Sequence, residues 1–127
     1  MAGLDRAQVQ AWLDRYVEAW RANAPEPIRA LFSDDVRYHY QPYGDSSTVS
    51  GLDALVDNWL ESPDPPDSWE AEYEPFAVDG DVAVATGYSR YLATDSKPER
   101  TFRNVFLMRF ASDGRCAEFT DVYMREE

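Results

Sequence analysis

The chain has 127 residues, 44% of them hydrophobic and 14% aromatic, the size and composition of one globular domain spanning residues 1–127. Its single cysteine, Cys116, excludes an intramolecular disulfide and a multi-cysteine zinc site. The formal net charge of −12 argues against nucleic acid or an anionic membrane as partner, because phosphate binding needs clustered Lys and Arg.

The N-terminal "MAGLDRAQVQ" lacks the basic-then-apolar order of a secretory signal. No apolar run approaches the ~18 residues of a membrane span, so the expected setting is the cytoplasm. Asp5 is placed to cap a first helix, with Gln8 three residues on as its capping-box partner. Val9, Trp12, Leu13, Tyr16, Val17 and Trp20 then recur at helical spacing. Asn23 and Pro25 end that helix. A short second helix follows, with Pro27 near its first turn and Ile28, Leu31 and Phe32 facing inward. "SDDVRYHYQP" changes to strand period. A third helix starts after Ser50, with Leu52, Leu55, Val56, Trp59 and Leu60 on one face.

"SPDPPDS" is too rich in Pro and Asp for helix or central strand and reads as an exposed connection. The remainder reads as a four-strand antiparallel meander: "WEAEYEPFAV", "DVAVATGYSRYLA", "RTFRNVFLMRF" and "RCAEFTDVYMR". Asp79-Gly80 and "SDG" supply tight turns. Two helices, a strand, a helix and a meander give an α+β fold, with one helical layer on a strongly curved, mainly antiparallel sheet.

This order, together with "YVEAWRANAPEPIRALFSDDV", Gly51 opening a helix after a proline-bearing loop, and the closing hairpin "NVFLMRFASDGRCAEFTDVYM", resembles the nuclear transport factor 2-like superfamily, also called cystatin-like or SnoaL-like. The resemblance covers nearly the whole chain. It implies a sheet folded into a cone around an internal pocket, with the first helix across its mouth. The superfamily includes ketosteroid isomerase, limonene epoxide hydrolase, scytalone dehydratase, polyketide cyclases and proteins without catalysis, so the fold implies a pocket and not a reaction.

Ketosteroid isomerase needs a tyrosine on the first helix, a basic aspartate before the strand-end proline and a second acid on the sheet. Tyr16 matches the first. The aspartate falls on Gln41 or Tyr40, according to the alignment, and the second acid falls on Phe106. Two of the three roles are missing. In limonene epoxide hydrolase the water-holding tyrosine and asparagine fall on Tyr38 and Tyr40, and the catalytic aspartate of the last strand falls on Asp121. SnoaL-like cyclases also place a basic aspartate on that strand. The hydrolase's Arg-x-Asp is replaced here by Tyr88, Ser89 and Arg90.

With Tyr38 and Tyr40 facing the cavity, the two-residue strand period sends His39, the only histidine, to the opposite face. The same rule groups Thr86, Tyr88 and Arg90; Phe102, Asn104, Phe106, Met108 and Phe110; and Phe119, Asp121 and Tyr123. The expected inward set therefore makes Asp121, Arg90 and Tyr38 the catalytic candidates. Tyr16, Tyr40, Tyr88, Asn104, Phe106, Trp12, Trp59, Phe119 and Tyr123 are the substrate-binding ones. Aromatic walls with a few polar groups suit a small apolar ligand, although a small domain also fills its interior with aromatics. A buried Asp121 and Arg90 need partners and would serve each other, as a structural ion pair or as an acid–base pair.

No metal ligand set and no Gly-rich phosphate loop is present, so no metal or cofactor is expected. Cys116 reads as a passive residue. Three functions follow. The first is an enzyme doing cofactor-free acid/base chemistry (hydration, cyclisation or isomerisation) on an apolar ring-bearing metabolite. The second is a non-catalytic binding protein with the same pocket. The third is a dimeric interaction domain with a filled cone. Arg103, Val105 and Leu107 alternate with the pocket set, which predicts a homodimer through the outer face of the sheet.

Overall fold

The computed structural model describes residues 3–42 and 47–126. Helix α1 (Arg6–Ala22) begins with the expected capping box. The Asp5 carboxylate accepts from the Gln8 backbone N–H at 2.8 Å, and the Asp5 N–H donates to Gln8 Oε1 at 2.9 Å. It ends at Asn23, whose left-handed backbone (φ 52°) is one that asparagine tolerates. Pro25 does more than interrupt: it is the first residue of α2 (Pro25–Leu31), where its missing N–H leaves nothing unsatisfied. Helix α3 (Leu52–Glu61) starts after Gly51, which sits at φ 93° and donates its N–H to Val36 O at 2.8 Å.

Six strands form one open sheet in the order β2-β1-β6-β5-β4-β3. They are β1 (Phe32–His39), β2 (Thr48–Ser50), β3 (Trp69–Asp79), β4 (Val82–Tyr91), β5 (Arg100–Phe110) and β6 (Cys116–Arg125). All neighbours are antiparallel except β1 and β6, which run parallel, so the sheet is mixed. Strand β2 was not expected from the sequence. Three residues are too few to show a period, and the strand exists through its pairing with β1, Tyr38 opposite Val49.

The three helices cover one face of this sheet. Trp12, Leu13, Ile28, Phe32, Leu55, Phe106, Met108 and Phe119 are buried between the layers. Helix α1 also protects the β3 edge. Arg6 donates to Pro75 O at 2.7 Å and Gln10 to Tyr73 O at 3.1 Å, occupying carbonyls that an edge strand leaves free to pair with another chain.

One irregularity in β3 decides which residues of β4 face inward. From Trp69 to Tyr73 the odd-numbered residues point to the helices and Glu70, Glu72 and Glu74 to solvent. Next to the turn, Asp79 pairs with Val82 and Ala77 with Val84. After a bulge at Phe76, Pro75 pairs with Ala85 and Tyr73 with Gly87. Without that extra residue, Tyr73 would face Tyr88, and Tyr88 and Arg90 would lie inside. With it, Ala83, Ala85, Gly87, Ser89 and Tyr91 take the inner face, and Thr86, Tyr88 and Arg90 the outer one. The inward placement of Tyr88 and Arg90 is thereby corrected. Arg90 forms an ion pair with Glu70 on the outer face, and Tyr88 donates to Glu72 at 3.4 Å.

Candidate functional site

Strand β5 alternates without interruption, so Phe102, Asn104, Phe106, Met108 and Phe110 all face the helices as the sequence suggested. Strand β6 adds Phe119, Asp121 and Tyr123 on the same side. Between these strands, α1, α3 and the connection at residues 62–68 lies a pocket of about 510 Å³. Tyr16, Tyr38, Tyr40, Trp59, Asn104, Asp121 and Tyr123 line it. Tyr123 stands at its rim, 50% exposed.

The other expected lining residues do not reach the pocket. Trp12 is buried in the core, donating its Nε1–H to Leu31 O at 3.0 Å. Phe106 and Phe119 are also in the core and form the layer behind the tyrosines. Phe119 stacks on Tyr38 (ring centroids 4.7 Å apart) and on Tyr16 (5.5 Å), and Phe106 packs on Tyr73 at 4.5 Å. Their inward direction is right; their depth places them beneath the surface a ligand would touch.

Asp121 is largely buried and meets no arginine among the described residues. Its Oδ1 accepts from Asn104 Nδ2 at 3.1 Å. The Asn104 carbonyl accepts from the Ser89 hydroxyl at 2.9 Å, and Ser89 in turn is hydrogen-bonded to the Tyr73 hydroxyl. Ser89 has given its one hydrogen to Asn104, so Tyr73 is the donor of that last bond. The chain is therefore directional: Tyr73 to Ser89 to Asn104 to Asp121. Reversing the Asn104 amide would set its carbonyl against the carboxylate, two acceptors face to face. Burial raises the Asp121 carboxyl from 3.8 to about 6, with the Asn104 bond pulling the other way.

Across the pocket the Tyr16 and Tyr38 hydroxyls share a hydrogen bond of 2.9 Å. Burial drives both phenols well above their ordinary range, and the nearby Asp121 charge adds to this, so both remain protonated. Tyr40 donates to Asn58 Oδ1 at 2.7 Å and is pushed up to about 12, again mainly by burial.

Four functional candidates were not singled out from the sequence: Tyr73, Ser89, Tyr91 and Arg100. Ser89 and Tyr91 are on the inner face because of the Phe76 bulge, opposite Tyr73 and its inward neighbours on β3. The alternation of Trp69 and Tyr73 against three glutamates was the available signal for Tyr73. Arg100, not Arg90, is the arginine that lines the pocket, its guanidinium carbon 4.9 Å from the Tyr91 ring centroid. The connection at 62–68 forms one lip, held to α1 by Trp20 Nε1 donating to the Asp64 carboxylate (3.0 Å) and Asn23 Nδ2 to Asp64 O (3.1 Å).

His39 lies on the outer face, as the strand period requires, between Thr48 Oγ1 and Glu118 Oε2, each at 2.9 Å. Cys116 is buried, which pushes its thiol far above the usual range and makes it a poor nucleophile. Among the described residues no group of three or more His, Cys, Asp or Glu side chains is placed to hold a metal ion. No helix among them is long and apolar enough to cross a membrane.

The model of the SnoaL-like domain matches residues 13–119. No curated protein matches the chain significantly in sequence. Among solved structures, an NTF2-like protein of unknown function from Burkholderia pseudomallei is 20% identical, covers 92% of this chain and 91% of its own, and superposes with a TM-score of 0.68. A candidate ketosteroid isomerase from Kribbella flavida is 22% identical over 97% of this chain and 82% of its own, with a TM-score of 0.67. An LEH-like epoxide hydrolase from M. tuberculosis is 12% identical over 94% and 84%, also with a TM-score of 0.67. At these identities the likeness is one of fold.

Proposed function

The chain belongs to the SnoaL-like domain family, and on that footing we propose that it is a cofactor-independent enzyme doing general acid/base chemistry on an apolar, ring-bearing small molecule. The observation that carries this reading is the Asp121 carboxyl: on a pocket wall, one oxygen held by Asn104, and raised to about 6. A carboxyl that changes protonation state near neutrality can take a proton and return it, which an ordinary surface aspartate does poorly.

The roles divide by chemistry. Asp121 accepts a proton from an activated C–H or from a water, using the oxygen that Asn104 does not hold. Asn104 is a positioning residue, kept in register by Ser89 and Tyr73. Of the two hydroxyl hydrogens on Tyr16 and Tyr38, one joins the pair and the other is free to meet a substrate oxygen. High phenol pKa values keep that donor intact while negative charge grows on the substrate. The arrangement differs from the two enzyme patterns considered in the sequence. Among the described residues no second acid supports the tyrosines, and no arginine bridges two aspartates.

Deuterium exchange into the acidic C–H positions of 1-tetralone, a neutral bicyclic ketone, tests this reading. Wild-type protein is expected to accelerate exchange along a pH profile rising through about 6. Asp121→Asn is expected to lower the rate by about 10²–10⁴-fold while ketone binding is kept. Equal rates in the two proteins would remove Asp121 from the chemistry. Binding without accelerated exchange in wild type would make the pocket a binding site only.

We also propose that two copies associate through the outer face of the sheet. Val105 pairs with Val122, and Leu107 lies between Val84 and Thr120, a largely apolar stripe on which Val105 is 36% and Leu107 43% exposed. A second copy presents the same stripe, as a two-fold contact requires.

A further inference from the structure

Arg29, Arg90, Arg103, Arg109 and Arg115 each meet an acidic side chain; Arg100, like Arg6, Arg15, Arg21, Arg37 and Arg125, meets none among the described residues. Arg100 is also the cation that lines the pocket. Its Nη1 donates to Pro98 O at 3.3 Å, and its guanidinium lies over Tyr91, itself a pocket residue. A guanidinium carries five N–H donors, so this one bond leaves donors available in the planar fork that matches a carboxylate. Asp64, which also lines the pocket, accepts from the Trp20 indole N–H and makes no ion pair with Arg100. What sets Arg100 apart from the other unpaired arginines is its place: it is the arginine on the pocket wall.

We propose that the ligand of this pocket is a ring-bearing carboxylate, its anionic group bound by Arg100 and its ring laid among Tyr91, Phe102 and Trp20. The proposal rests on the reading of the pocket as a small-ligand site and is independent of turnover. The two ends of the pocket then have different tasks. Arg100 fixes the carboxylate at the rim, and the aromatic walls carry the ring toward Asp121 and the tyrosine hydroxyls. The charge of the whole protein disfavours anions in general, so any preference for the carboxylate form of a ligand must come from this one contact.

Equilibrium dialysis at pH 7 with 2-naphthoate and its neutral isostere 2-naphthamide tests the proposal. Wild-type protein is expected to bind the carboxylate about tenfold or more tightly than the amide. Arg100→Gln is expected to remove that preference while amide binding persists. Arg109→Gln, which alters an outer-face arginine paired with Asp81, is expected to keep it. Equal binding of the two ligands to wild type, or a preference that survives Arg100→Gln, would overturn the carboxylate assignment and leave the small-ligand pocket standing. Failure of both ligands to bind would overturn the pocket reading and the assignment with it.

Discussion

On the outer face of the sheet Arg90 meets Glu70, Arg103 meets Glu126 and Arg109 meets Asp81, each pair well exposed to solvent. On the inner face, two residues along from the inward Phe119, Asp121 has one amide for company and aromatic rings around it. The same strands thus hold charge under opposite conditions. Outside, water screens each pair, and neither partner depends closely on the other. Inside, desolvation moves the Asp121 carboxyl to about 6 and makes its protonation a variable of the site. Residue type alone does not distinguish the two; the face does.

The largest expected effect sharpens this contrast at two adjacent residues. A Cβ added at Gly87, on the inner face, would lie 2.0 Å from Glu72 O and 2.6 Å from Tyr73 Cδ1. The contact is with backbone, so β3 and β4 must separate. Gly87→Ala is therefore expected to destabilise the fold by roughly 3 kcal/mol, read as a fall in the urea midpoint. Its neighbour Thr86 faces outward, and Thr86→Ala is expected to stay within about 0.5 kcal/mol.

A second effect is opposite in sign. The folded Asp121 pKa of about 6 lies above its unfolded value near 3.8, so the native state binds the proton more tightly. Stability is then unaffected below the unfolded value, falls as pH rises between the two, and carries the full penalty above about 6. Asp121→Asn removes the penalty. At pH 8 the variant is expected to be more stable than wild type by about 1–2 kcal/mol, a figure reduced for partial solvation, with the gain vanishing below about pH 4. Thermal unfolding at both pH values checks it. A variant equally stable at pH 8 would mean that the inner face solvates the carboxylate as well as water does.

The outer face has its own test. Leu107→Asp is expected to convert a dimer into a monomer in light scattering, with little change in unfolding of the isolated chain. Because each chain carries −12, the wild-type dimer should tighten as salt is added. A wild-type monomer at both low and high salt would leave the stripe of Val105 and Leu107 unexplained.

Much of this was legible in the sequence where a local rule suffices. The Asp5–Gln8 box and the alternation of β5 follow from spacing within one element, whereas the Gly51 start of α3 and the inward Asp121 came with the family resemblance. What was not legible depends on pairing between elements. The sequence "VAVATGYSRY" carries apolar and aromatic residues in both phases, with Arg90 its one charge, so β4 does not declare its own inner face. Its phase is inherited from β3 across the turn, and the bulge at Phe76 changes the parity on the way. One extra residue moved Tyr88 and Arg90 out and brought Ser89 and Tyr91 in. Depth was the second gap. Trp12, Phe106 and Phe119 have the right direction but are roofed by Tyr16 and Tyr38, and no periodicity records which of two stacked rings is nearer the solvent.

The smallest expected effect is the one that separates the two faces most directly. If Arg90 were inside, it would hold the Asp121 carboxylate, and its removal would raise the Asp121 pKa. Its guanidinium instead bonds Glu70 across the outer surface, on the far side of the sheet from the pocket. Arg90→Gln is therefore expected to leave the Asp121 titration midpoint at about 6, followed by the carboxyl carbon resonance, and to leave the thermal midpoint unchanged. Asn104→Leu is the matching change on the inner face. It removes the one hydrogen bond that lowers the Asp121 pKa and should move the midpoint upward. A clear upward shift in Arg90→Gln, with none in Asn104→Leu, would reverse the assignment of β4 and restore the acid–arginine pair that an unbroken hairpin would have built.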